Sequence, residues 1–134
     1  MAMRPRPDPL DNAAAAVTVA MAAFDVALGL AAIARPAATL RRLGHDAPSP
    51  DAEALFRRCG PIWLTFAAAH AVAAARGHRE DWHALAWLRG TELATDVVWS
   101  GSGFFASRRA RMLLRGAGAG NLGLTALFAA RARH

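Results

Sequence analysis

Lysine, glutamine and tyrosine are missing altogether from this chain of 134 residues, which also has one cysteine and two isoleucines. The single Cys59 excludes a disulfide scaffold, since no second thiol exists to pair with it. Six valines and an aromatic content of 7% leave too few β-branched and ring side chains for an all-β domain. The chain is abundant in 35 alanines, 15 leucines and 16 arginines, residues at the head of the helix-propensity scale. An apolar fraction of 54% excludes global disorder, and the length suits one domain rather than two. The fold class that follows is all-α.

The formal charge of +6 invites a nucleic-acid reading, which requires arginines gathered on one face or along one helix. Here they fall mostly in short groups at segment edges: Arg4 and Arg6, Arg41 and Arg42, Arg57 and Arg58, Arg76 and Arg79, Arg108 to Arg115, Arg131 and Arg133. Between the groups lie long stretches with little charge. Basic punctuation of apolar segments is the pattern of a polytopic membrane protein, with arginines at headgroup level and no nucleic acid as partner.

Residues 1–10, with Pro5, Pro7 and Pro9, read as a proline-rich lead without helix, and Asp8 and Asp11 argue against a cleaved signal peptide. Residues 11–134 then form one domain of four helices, over about 12–34, 52–76, 80–100 and 108–131. The first runs 23 residues from Asn12 with one charge, Asp25, and ends before Pro36. Ala37 to Leu43 is a short basic amphipathic piece that fits an interfacial helix between the first two spans. Ser49 or Asp51 caps the next helix, Gly77 ends it, and Pro61 inside it predicts a kink unless the embedded part begins there. Helices of about 20 residues match a hydrocarbon core of about 30 Å, so the expected architecture is a four-helix transmembrane bundle with short loops. The mean hydropathy is only +0.18, which keeps a soluble Ala-rich bundle as the alternative. Against it, Asn12–Ala34 and Cys59–Ala75 lack the charged stripe of a surface helix. About eight arginines in the connections on one side, against about six on the other including both termini, favour both termini outside by a margin too small to fix the orientation.

Ionisable groups inside such segments are costly unless they face the bundle and find partners. Arg89, Glu92 and Asp96 share one helix face with Trp82, Leu85 and Trp99, while Thr18 and Met21 share the face of Asp25. Antiparallel register sets Arg58 near Asp96, His70 near Trp87 and Arg89, and Asp25 at about the depth of Asp96, within a turn of 5.4 Å. The candidate site is a buried polar cluster of Asp25, Arg58, His70, Arg89, Glu92 and Asp96. Three carboxyl groups would then face two guanidinium groups, so that one carboxyl stays protonated or His70 supplies a third positive charge. Such a cluster serves either as a network fixing helix register or as a site for a proton, a cation or a polar headgroup.

Other motifs carry less. His70, His78 and His83 are not spaced as ligands on one helix face, so no metal is expected, and nothing in the chain asks for a cofactor. Gly116, Gly118, Gly120 and Gly123 have neither the strand nor the Lys-Ser of a phosphate loop. Gly116, Gly120 and Gly123 instead predict close helix packing. Trp63, Trp82 and Trp99 lie toward segment ends, where an aromatic belt would put them.

From Leu55-Phe56-Arg57-Arg58-Cys59-Gly60 through Arg89-Gly90-Thr91-Glu92 to Asp96, the chain resembles the small DoxX-like four-helix membrane proteins. That resemblance covers roughly residues 12 to 130 in layout. It implies a four-helix bundle in a bacterial inner membrane, with some relatives linked to quinone-associated redox complexes. The functional expectation is an accessory subunit or a binder of a lipophilic small molecule, with membrane lipid or a membrane protein as partner. An enzyme or proton-coupled carrier using the cluster is the alternative, and a soluble basic interaction module the second.

Overall fold

A computed structural model describes residues 9–134, which form five helices and no strand among the described residues: α1 Pro9–Ala34, α2 Pro36–Arg42, α3 Pro50–Arg76, α4 Arg79–Gly101 and α5 Arg108–Arg131. Residues 1–8 of the expected proline-rich lead lie outside that range. Pro9 and Leu10 do not belong to such a lead, because α1 already begins at Pro9. Proline is tolerated in the first helical turn, where its missing N–H has no intrahelical acceptor to serve.

Local chemistry sets the boundaries. Ser49 caps α3 by accepting a hydrogen bond from the Ala52 N–H at 3.2 Å, with Asp51 and Glu53 in the positively polarised first turn. Gly77 closes it at φ 64°, a left-handed conformation that favours glycine. Ser107 caps α5 on the Ala110 N–H. Helix α3 runs through Pro61 without interruption.

The four long helices form a ring in the order α1, α3, α4, α5, built from two closely packed pairs, α1 with α3 and α4 with α5. The first pair crosses at two glycines: a Cβ at Gly29 would meet the Gly60 carbonyl oxygen at 2.9 Å, and one at Gly60 would meet Gly29 O at 2.8 Å. Contact between α4 and α5 centres on Gly118, where an added Cβ would lie 3.2 Å from Asp96 Cβ. Within the bundle, the close approach on α5 falls at a glycine other than the three expected. A Cβ added at Gly116, Gly120 or Gly123 would meet no atom within 4 Å among the described residues, and Gly118, set 200° round the helix from Gly116 and Gly120, makes the approach instead. At the end where α3 turns into α4, Trp82, Leu85 and Phe128 form an apolar plug with Ala14, Ala73 and Ala132.

Above that plug the polarity is inverted. Asp25, His70, Arg89, Asp96 and Asn121 are buried, while Val19, Phe24, Leu30, Ile62, Trp87, Val97 and Leu122 are exposed. By length and composition one described helix, α1, is long and apolar enough to cross a membrane. Helices α3, α4 and α5 are diluted by the acids and arginines of α3's first turns, the interior charges of α4 and the basic start of α5. The architecture established is therefore an all-helical bundle in which one described helix has the length and composition of a span.

Candidate functional site

Three helices converge on one buried ionic centre. Asp25 of α1 is 1% exposed, His70 of α3 0% and Arg89 of α4 3%. The Arg89 guanidinium donates through Nη2 to Asp25 Oδ2, reaching diagonally across the ring. It also donates to His70 Nε2, from Nε at 3.1 Å and from Nη2 at 2.8 Å. A guanidinium has no acceptor, so His70 Nε2 accepts and the ring proton sits on Nδ1. Asp25 Oδ2 lies 3.9 Å from the same Nε2. Phe66 flanks the guanidinium at 5.8 Å, and Phe128 stacks obliquely on His70 at 5.6 Å, so the centre is polar inside an apolar shell.

Not every polar atom there has a partner: Asp25 Oδ1, His70 Nδ1 and Thr18 Oγ1 are buried and unbonded among the described residues. The Gly29–Gly60 crossing fixes the register. Thr18 lies eleven residues before Gly29 and His70 ten residues after Gly60, so the two stand at one level on antiparallel helices.

A second polar contact lies between α4 and α5, where Asn121 Nδ2 donates to Asp96 Oδ2 at 2.9 Å, both side chains being buried. Beside it opens a groove of about 230 Å³ with Leu93, Val97, Leu114 and Leu122 on its walls and Asp96 and Ser100 at its floor. Between the same two helices, Trp87 and Thr91 border a second, more open groove of about 480 Å³. Glu92, between Arg89 and Asp96 on the inward stripe of α4, is half-buried, and its carboxyl forms no hydrogen bond or ion pair among the described residues.

The six residues expected in one cluster thus divide. Asp25, His70 and Arg89 meet; Asp96 turns to Asn121; Glu92 stands between them; Arg58 is outside, exposed on α3. Arg58 precedes the inward Gly60 by two residues, a rotation of about 200° that points it away from the ring. Asn121 went unnoticed in the sequence. Its signal was a lone amide in the uncharged stretch of α5, three residues after Gly118 and seven before Phe128, on the face those two bury. No group of three or more His, Cys, Asp or Glu side chains among the described residues is placed to hold a metal ion. Comparison with protein-family models, curated proteins and solved structures finds no match for this chain.

Proposed function

We propose that this chain is an integral membrane protein whose helices α1, α3, α4 and α5 all cross the bilayer, and that it binds a lipophilic small molecule as an accessory component of a membrane assembly. The observation that carries this reading is the inverted polarity: the ionisable groups are inside and large aliphatic and aromatic side chains face out. Water as solvent would reward the opposite arrangement, whereas lipid rewards this one. One apolar helix alone would also suit a soluble core or a leader. It is the outward Ile62, Val97 and Leu122 on the other three helices that extend the reading to the whole bundle.

The groove beside Asp96 suits a lipophilic molecule carrying a hydroxyl or amide donor. Its walls are leucine and valine, and its floor offers the Asp96 carboxyl, of which one oxygen is taken by Asn121. The DoxX-like resemblance supports a bacterial inner membrane as the location. A second reading, proton-coupled transport or catalysis, is favoured by one feature, the unpartnered Glu92 carboxyl on the inward stripe of α4. Purification in mild detergent followed by lipid and small-molecule mass spectrometry tests the main proposal. A stoichiometric lipophilic compound lost in an Asp96→Leu variant supports it. A protein recovered in the soluble fraction without detergent overturns it.

A further inference from the structure

The arginines at the two ends of the bundle are used differently. At the end where α3 turns into α4, three of the four described arginines are engaged internally. Arg131 pairs with Asp11 at 2.8 Å, Arg76 with Asp81 at 3.5 Å, and Arg79 donates to the Ala132 carbonyl at 2.8 Å. The opposite end, built from α2, the start of α3 and the start of α5, gathers nine arginines against three acids, Asp46, Asp51 and Glu53. None of those three acids forms an ion pair among the described residues, and seven of the nine guanidinium groups have neither ion pair nor hydrogen bond there. The remaining two donate to backbone at this end: Arg109 to the Arg42 carbonyl at 3.3 Å, and Arg111 to the carbonyls of Phe105 and Ala106.

The cations at this end are also held in place. Helix α2 buries Pro36, Thr39 and Leu40 against the bundle and leaves Arg41 and Arg42 exposed. Gly44, at φ 93°, lets the following chain lie so close to α5 that a Cβ there would stand 2.7 Å from Ala110 N. Just before the start of α5, Trp99 packs against Phe104 with the rings tilted and their centroids 5.2 Å apart, and Phe104 is 70% exposed. An exposed aromatic pair next to uncompensated guanidinium groups is the arrangement of a headgroup boundary.

Resting on the membrane reading above, we infer that the α2 end is a docking surface for anionic phospholipid headgroups, which sets this end at the negatively charged cytoplasmic leaflet. Guanidinium groups match phosphate geometry through paired N–H donors, and a surplus of arginine marks the side that stays in the cytoplasm. The opposite end, where two of the four described arginines are paired with carboxylates, faces outward.

Two measurements test this. Thermal unfolding of the detergent-purified protein is followed while phosphatidylglycerol, phosphatidylcholine or free glycerol phosphate is added. Phosphatidylglycerol alone is expected to raise the midpoint. A quadruple variant, Arg41→Ala, Arg42→Ala, Arg57→Ala and Arg58→Ala, is expected to lose at least half of that rise while unfolding as before without lipid. An equal rise with phosphatidylcholine or with glycerol phosphate, or a full rise in the variant, overturns the inference. In spheroplasts, with Cys59→Ser as background, an impermeant maleimide should label His78→Cys directly and Asp46→Cys only after permeabilisation. The reverse pattern, or direct labelling of both, also overturns it. Recovery of the protein as soluble would defeat the membrane reading itself, and the inference with it.

Discussion

Arg89 is the single donor to both of its buried partners, and its replacement is the sharpest perturbation the structure offers. Arg89→Met keeps most of the side-chain volume but leaves the Asp25 carboxylate without a counter-ion and His70 Nε2 without a donor. Removing one partner of a buried ion pair costs about 3–5 kcal/mol, because a charge remains in a medium that cannot solvate it. In a membrane or micelle the unfolded chain finds partial substitutes, so about 3 kcal/mol is the expected loss. Asp25→Leu strands the guanidinium by the same logic and should cost a similar amount. The double variant removes both charges together and should cost no more than about 1–2 kcal/mol, since apolar replacement of a whole buried pair is often close to neutral. Equilibrium unfolding in mixed micelles, followed by helical circular dichroism, gives all corners of the cycle and an expected coupling of about 4 kcal/mol. Additivity to within about 0.5 kcal/mol would refute the reasoning, because it would mean that Asp25 and Arg89 do not share an interior site.

Other positions give independent tests. Gly60→Ala drives a methyl group into Ile33 and the Gly29 carbonyl and should cost about 1–3 kcal/mol in thermal unfolding. Gly120→Ala has open space and should be neutral or stabilising by up to about 1 kcal/mol. Asn121→Leu removes the donor to Asp96 Oδ2 and should lower stability by about 1–3 kcal/mol, again read by thermal unfolding. Glu92→Gln breaks no contact among the described residues. It should unfold within about 0.5 kcal/mol of the parent, so loss of proton uptake by reconstituted vesicles at unchanged stability would favour the transport reading.

Helix positions were the most legible part of the sequence because their stop and start signals are local. Ser49, Gly77 and Ser107 act within a turn of themselves, and Arg35-Pro36 divides α1 from α2 without reference to anything distant. The meeting of His70 with Arg89 was also legible, since the tight turn at Gly77 leaves little freedom in how α4 folds back on α3. What local pattern could not supply was rotation about each helix axis. Antiparallel register sets Arg58 near Asp96, but one is exposed and the other bonds Asn121, a difference of angle that packing at Gly60 and Gly118 decides. The same holds on α5, where four glycines share a stretch and only Gly118 has a neighbour to admit. Solvent was legible only in part, because thin alanine segments give a hydropathy signal that a long apolar helix such as α1 passes and its partners do not.

The central claim is that the outer surface of all four long helices meets lipid. Spin labels placed singly at Val26, Ile62, Val97 and Leu122, one exposed site on each of α1, α3, α4 and α5, test it in reconstituted bilayers. The account predicts that all four labels relax more strongly with dissolved oxygen than with a water-soluble nickel chelate. Strong nickel relaxation at Ile62, Val97 and Leu122, with oxygen dominant at Val26 alone, would contradict it and leave a single span attached to a water-facing bundle.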